Sequence, residues 1–401
     1  MVELLGAQAQ VEVLGRPLAL RCGVVLKNRL VKSAMSDSLG DGAGDPTDEQ
    51  IRLYARWSAG GAGLSVIGEV QVDPKYPEKP GNLVLGPRSD RARLRRLVHA
   101  GSSDGAQIWP QLGHAGALAY PPLSHPVGPS ALHLHGLRCD ALSSAAIEAL
   151  PATYAAAAGV AKSVGFGGIE IHAGHGFLLS QFLSPLFNRR TDRYGGSIEA
   201  RCQILLDVVR RVRHDLGSEL AIAVRVNSSD ELEGGLTEDE ALTVVELIGS
   251  EEVDLIDISG GTYVPGAVAS TDRPSSGPYF LSFAERARRV TTTALMLTGG
   301  FKTRSAAAAA VGSGTVDVAG LARAFVLNAD LPATWLRLEG GDPEFPRFRC
   351  PPPGGVTAWY TMRLAALATD REAAFRLEPD TALADYEARD AARVTAWREQ
   401  F

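Results

Sequence analysis

Cysteine is sparse in this chain of 401 residues, with only four present. Cys22, Cys139, Cys202 and Cys350 lie far apart, with no C-x-x-C pair and no zinc or iron–sulfur spacing. That pattern argues against a disulfide framework or a metal centre, and it sets cytoplasmic as the expected location. Long apolar runs are missing as well. The longest small-apolar stretches, 155–158 and 306–310, are far too short to span a bilayer. The opening MVELLGAQAQ lacks the basic start and apolar core of a secretory signal. Basic residues are mostly arginine and scattered singly, and the formal net charge is −6, so neither nucleic acid nor an anionic membrane is an expected partner. No glycine-rich dinucleotide fingerprint follows any apolar run. At 45% hydrophobic and 21% charged residues the chain reads as an ordinary folded protein of one large or two smaller domains.

From about residue 22 to 340, short β-branched runs alternate with Ala/Leu/Arg-rich segments of helical period. Strands are expected at 30–35, 64–69, 106–112, 168–172, 221–227, 254–259, 294–299 and 317–321. Helices are expected near 48–60, 88–100, 145–164, 199–216, 237–249, 281–291, 303–312 and 330–338. Eight such units in about 300 residues predict an α/β fold, a closed (β/α)8 TIM barrel over 1–340, with a doubly wound open sheet as the alternative. Residues 341–401 read as a proline-rich connector (343–355) and a helix over 380–401. In that helix Leu383, Tyr386, Val394, Trp397 and Phe401 fall near one face. The face packs either on the barrel or on a second copy in a homo-oligomer. The Pro- and Gly-rich segment 113–144 is expected to form a lid.

The stretch IEIHAGHGFLLSQFLSPLFNRRTDRYGGS, 169–197, carries the most chemistry. An apolar run ends abruptly in His172 and His175, placing two imidazoles at the C-terminal lip of a buried strand. Functional groups in βα proteins gather where such strands end, and two imidazoles there can offer two N–H donors to one oxygen. Spacing of i,i+3 at a strand–loop junction without a third ligand is poor metal geometry, so no metal is expected. Gly299-Gly300 ends another strand at the start of an alanine-rich helix, and Ala322-Arg323 ends the next, a pattern suited to a phosphate. Arg225 is a charge inside an apolar strand that requires a carboxylate or an electron-rich ligand. Gln111, an amide at a strand end, suits the edge of a heterocycle or a satisfied core position equally.

Seven blocks in order carry a resemblance: Leu26-Lys-Asn-Arg29 leading to Ala34-Met35-Ser36; Gln111-Leu-Gly-His114-Ala-Gly116; the H-x-x-H-G stretch at 172–176; Leu183-Ser-Pro185 with Asn188-Arg-Arg-Thr-Asp192 and Tyr194-Gly-Gly196; Val224-Arg-Val226; Gly299-Gly300; and Arg323. Over about residues 10–340 the chain resembles the Old Yellow Enzyme family of FMN-dependent NAD(P)H:flavin oxidoreductases. The resemblance implies tightly bound FMN, with NAD(P)H as a transient hydride donor docking over the same flavin face as the substrate. It further implies that Ala34, Met35 and Ser36 line the reactive edge of the flavin and that Glu69 lies beside it. Gln111 would bond the pyrimidine edge, and Arg225 would sit where negative charge collects on reduction. Gly299, Gly300, Ala322 and Arg323 would take the phosphate, while His172 and His175 would grip the carbonyl oxygen of an α,β-unsaturated substrate.

The chain departs from the family pattern at a few points. The family commonly places a proton-donating tyrosine where this chain has Phe177. Tyr76, Tyr120 and Tyr263, on strand-end loops, are the candidate pocket residues that could replace it, alongside water. Ala322 stands where a glycine is usual and Ala117 where many relatives have arginine. His114 reads as structural, and His133 and His135 read as surface residues of the lid. Neither the cysteines nor the length suggests the iron–sulfur cluster and second nucleotide domain of larger relatives. The leading expectation is reduction of an activated C=C bond. The alternatives are an NADH oxidase, a desaturase-type flavoenzyme and, from another class, a flavin-free phosphate-binding barrel lyase or isomerase. Specificity is expected to lie in 113–144, in the loop near 263–276 and in the C-terminal tail of a neighbouring subunit.

Overall fold

Strands that are buried on both faces are near-continuous apolar runs, and among the described residues eight of them run in parallel round one ring, with the short strand Leu83–Val84 paired in parallel beside the second. They are β1 Leu30–Lys32, β2 Leu64–Gln71, β3 Gln107–Gly113, β4 Gly168–Ala173, β5 Ala221–Asn227, β6 Leu255–Ser259, β7 Ala294–Thr298 and β8 Val318–Leu321. A computed structural model describes residues 6–134, 136–264 and 277–401. In it β1 bonds to both β8 and β2, which closes the ring. The expected (β/α)8 barrel is thus the architecture observed, with each expected strand within a few residues of its place. His135 and residues 265–276 of the anticipated specificity loop lie outside the described residues.

Strand alternation sorts side chains into two cores. Val31, Val66, Trp109, Ala223, Leu255, Met296 and Val318 fill the barrel interior. Their neighbours, including Ile169, Ile171, Ile222, Val224, Ile256 and Leu297, face the helix layer. Around the ring run α1 Asp48–Ala59, α2 Arg91–Gly101, α3 Ser144–Val164, α4 Ile198–Leu216, α5 Glu238–Gly249, α6 Leu281–Ala287, α7 Arg304–Gly312 and α8 Leu331–Arg337. Side-chain caps set the starts of α1 to α5 and α7: Thr47, Asp90, Ser143, Ser197 and Thr303 each accept a backbone N–H, and Thr237 with Glu240 forms a reciprocal capping box.

Two elaborations sit on the C-terminal face of the barrel. The segment after β3 folds into a small sheet of Val127–Gly128, Leu132–Leu134 and Leu137–Ala141, with His133 exposed. The tail forms two helices, α9 Gly355–Leu367 and α10 Pro379–Gln400. Sequence periodicity did not reveal α9, because its apolar residues lie on several faces rather than along one stripe. The tail lies across loops of its own barrel. Trp397 Nε1 donates to Pro74 O at 3.1 Å, Arg389 to Ser38 O at 3.0 Å and Arg398 to Pro122 O at 2.8 Å, and Lys79 Nζ lies 3.3 Å from Asp390.

Gly168 shows how little slack the interior has. A Cβ there would stand 2.6 Å from Trp109 Cε2 and 2.7 Å from Ala221 Cβ. Gly168→Ala is therefore expected to destabilise the fold by about 1–3 kcal/mol. Urea denaturation should show this, and an unchanged midpoint would contradict the close packing around Trp109.

Candidate active site

The strand ends enclose a cavity of about 530 Å³. Ala34, Met35 and Ser36 line it from the end of β1, Glu69 from β2, Gln111 from β3, His172 and His175 from β4, and Arg225 from β5. Phe177, Tyr263, Gly299, Gly300, Ala322 and Arg323 line it too. Tyr76 and Tyr120 do not belong to its wall. Tyr76 stacks on His114, with centroids 4.8 Å apart, and the Tyr120 ring lies 4.7 Å from Lys79 Nζ. His114 is buried, its Nδ1 accepts from Gly116 N at 3.0 Å, and burial lowers its pKa to about 4, which suits a structural residue.

Register places three polar residues at one height: His172 pairs with Arg225 across β4 and β5, and Arg225 pairs with Asp257 across β5 and β6. Arg225 is 4% exposed, and its Nε lies 3.4 Å from Asp257 Oδ2, an ion pair without hydrogen-bond alignment. Its Nη2 donates to Ser259 Oγ at 3.1 Å. Asp257 also accepts from Thr298 at 2.7 Å, while Glu170 accepts from Gln111 Nε2 at 2.6 Å. Burial lifts both carboxyls above the ordinary range, and repulsion from Asp257 raises Glu170 further while Arg225 pulls both back down. Glu170 therefore holds the proton, and Asp257 is the counter-charge of Arg225. The sequence signal for this pair was present but not read: Glu170 in GIEIHA and Asp257 in LIDIS are, like Arg225, charges within apolar strands.

The two imidazoles bond to each other. His172 Nε2 and His175 Nδ1 are 2.9 Å apart, and His175 Nε2 lies 3.1 Å from Ser259 Oγ. His172 Nδ1 is 3.4 Å from Glu69 Oε1, and both atoms are buried without a hydrogen bond. Burial first, then the Arg225 charge, holds both histidines well below 6.5, so each is neutral with one N–H to give. Burial likewise holds the Glu69 carboxyl well above its ordinary value, in its protonated form.

His175 is held at φ 57°, a left-handed conformation. Its N–H donates to Asn227 Oδ1 at 2.9 Å, and its carbonyl accepts from Tyr263 N at 3.0 Å and Thr262 Oγ1 at 3.1 Å. Phe177 packs on His172 with ring centroids 4.6 Å apart, and Tyr263 approaches His175 at 5.6 Å from an exposed rim position. At the β7 turn Gly299 and Gly300 have φ 124° and 83°, and a Cβ on Gly300 would come within 2.4 Å of Gly277 O. Only glycine allows the backbone to close that tightly. Also lining the cavity are groups that the sequence did not single out as cavity residues: Glu78 and Lys79 after β2, and Thr357, Tyr360, Leu383 and Tyr386 from the tail. Among the described residues no group of three or more His, Cys, Asp or Glu side chains could hold a metal, and no helix is long and apolar enough to cross a membrane.

A TIM barrel whose strand ends converge on paired histidines and a buried arginine belongs, as a class, with the flavin-nucleotide oxidoreductases. The chain belongs to the NADH:flavin oxidoreductase / NADH oxidase family, whose model matches residues 14–337. It is similar to the NADH-dependent flavin oxidoreductase iliE of Hypocrea jecorina, at 35% identity over 79% of this chain and 87% of that protein. Morphinone reductase, a solved structure, has 25% identity and a TM-score of 0.69 over 82% of this chain and 91% of that one. The Old Yellow Enzyme homologue of Zymomonas mobilis shares the fold, with a TM-score of 0.71 at 23% identity over 83% and 94% of the two chains. Other relatives are longer, and the chain spans only 46–48% of their length.

FMN is the cofactor of this family, with NAD(P)H as hydride donor. The residues present fit it. The tight glycine turn near Arg323 offers a backbone cradle for a phosphate. The buried Arg225 and the Gln111 amide lie in the wall where a heterocycle needs polar partners, and His172 Nδ1 and Glu69 Oε1 are unpartnered beside them.

The neutral state of His175 has a measurable consequence. With a depressed folded pKa, it declines a proton that the unfolded chain binds below 6.5. Its contribution to stability is therefore present above that pH and lost as the pH falls through it. Asn tolerates the left-handed backbone but does not titrate. The melting temperature of the wild type should thus fall relative to that of His175→Asn between about pH 8 and about pH 5. A constant difference would contradict a neutral buried imidazole.

Proposed function

We propose that this chain is an FMN-dependent ene-reductase that uses NAD(P)H to reduce the activated C=C bond of an α,β-unsaturated carbonyl compound. The observation that carries the reading is the neutral His172–His175 pair in the cavity wall, 2.9 Å apart and each with one N–H. When bound, FMN supplies reversible hydride storage between the nicotinamide and the acceptor.

The chain's own residues do the rest. A carbonyl oxygen placed between the imidazoles takes over their mutual hydrogen bond and accepts from both. That requires the proton of His172 on Nε2 and that of His175 on Nδ1. The protonated Glu69 carboxyl then faces the bare Nδ1 of His172, and the Ser259 hydroxyl donates to the bare Nε2 of His175. The mutual bond holds a single proton, so one imidazole changes tautomer as the oxygen enters, and Glu69 and Ser259 are the positioning residues that favour that form. Two N–H bonds draw electron density toward the oxygen and leave the β-carbon open to hydride.

Arg225 and Gln111 are assigned to the pyrimidine edge, where a fixed cation favours the more negative, reduced cofactor. Ala34, Met35 and Ser36 flank its reactive side. Gly299, Gly300, Ala322 and Arg323 hold its phosphate. NAD(P)H and acceptor share one face and bind in turn.

Phe177 favours a second reading, an NADH oxidase or a desaturase-type enzyme, because it cannot donate the proton that completes C=C reduction. Anaerobic mixing of the reduced enzyme with 2-cyclohexenone separates the two. The ene-reductase reading expects flavin reoxidation, slowed about 100-fold or more in His172→Ala. Absence of reoxidation by any enone, with rapid reoxidation by dioxygen, would select the oxidase reading instead.

A further inference from the structure

Phe177 leaves open which group protonates the substrate. We propose that Glu78 supplies this proton from the wall formed by the loop after β2, a role that rests on the ene-reductase reading. Glu78 lines the cavity together with Glu69 and Ser36. Its Oε2 accepts from Asn82 Nδ2 at 2.9 Å, and Asn82 Oδ1 in turn accepts from Ser36 Oγ at 3.1 Å. Asn82 is 3% exposed, so this buried amide ties Glu78 to the residues at the end of β1 and leaves Oε1 to carry the proton. The histidines stand on β4, beyond β3 in the ring, so acid and carbonyl clamp occupy different walls.

Among the described residues, titratable groups from several elements act on Glu78. Glu69 comes from β2 and Lys79 from its own loop, Asp390 and Tyr386 from α10, and Tyr263 from the loop after β6. The Lys79 ammonium is engaged by Asp390 at 3.3 Å and by the Tyr120 and Tyr386 rings. Burial above all lifts Glu78 to about 7 against the pull of Lys79 and Asn82. An acid titrating near the working pH is the most effective proton donor. Tyr263, the one loop tyrosine of the three weighed that reaches the cavity, is poorer, because a phenol's ordinary value near 10 already lies far above the working pH.

Hydride originating from NAD(P)H bonds to the β-carbon, and the C=C π pair moves onto the carbonyl oxygen held by His172 and His175. The α-carbon then takes the proton of Glu78, the carboxyl O–H breaking as the C–H forms, and the carboxylate regains a proton from water. The acceptor gains two electrons and two protons, one of them with the hydride.

The test compares holoenzyme carrying Glu78→Gln or Glu78→Asp with wild type, using 2-cyclohexenone against ferricyanide, an acceptor that needs no protonated carbon. The ratio of enone to ferricyanide rates should drop about 100-fold in Glu78→Gln and recover in part in Glu78→Asp. Wild-type enone reoxidation should fall as the pH rises through about 7, and the Glu78→Gln profile should be flat there. Infrared difference titration of the flavin-free chains should show a protonated-carboxyl band that disappears through the same pH range in wild type and is absent in Glu78→Gln. An unchanged ratio and pH profile in Glu78→Gln, with wild type active on enone, would overturn the role of Glu78 alone. A wild type that no enone reoxidises would overturn the ene-reductase reading and this role with it.

Discussion

A guanidinium in the wall of a barrel needs a counter-charge, and the rest of the site follows from how Arg225 obtains one. Leaving one member of a buried ion pair unmatched costs on the order of 3–5 kcal/mol, so a partner has to be fixed by the fold rather than found by chance. Strand register does this by setting Asp257 directly opposite Arg225, and His172 opposite it on the other side. One arginine and one aspartate cancel. Glu170, facing the same cluster, must then be neutral, and the field of Arg225 adds to burial in keeping both imidazoles uncharged. A neutral histidine pair can donate to a carbonyl oxygen without bringing a second cation beside the first.

The backbone serves the same end. His175 reaches its position only through a left-handed turn, flanked by Gly174, where a Cβ would press 2.9 Å from Asn227 Oδ1, and by Gly176 at φ 81°. Such a conformation persists where the surroundings over-determine it, and here three hydrogen bonds from Asn227, Thr262 and Tyr263 do so. The tail completes the enclosure by lying across loops of its own barrel, with the Tyr360 ring 5.7 Å from the Arg323 guanidinium and Tyr386 in the same cavity wall as Glu78.

Much of this was legible in the chain. Barrel strands are buried on both faces, so each reads as a short apolar run, and residues at their ends necessarily converge on one mouth. That is why His172, Arg225, Gln111 and the Gly299-Gly300 turn could be picked out before their contacts were known. What escaped depends on contacts between distant segments. Arg225 called for a carboxylate or an electron-rich ligand, but only register identifies Asp257 as the carboxylate. The bond between the two imidazoles, in place of two N–H groups aimed in parallel, depends on the turn at His175. Helix α9 is apolar on several faces and carried no period to read. Tyr76 and Tyr120 sit on strand-end loops as expected, but their rings are engaged by His114 and Lys79 outside the cavity wall.

The charge on Arg225, balanced by Asp257 and shared with the bound cofactor, is the claim on which the account rests. A redox titration of the FMN-loaded Arg225→Met variant against wild type tests it most directly. Removing the cation should lower the midpoint potential, because the reduced, more negative cofactor loses its fixed counter-charge. A potential that stays the same or rises would contradict it.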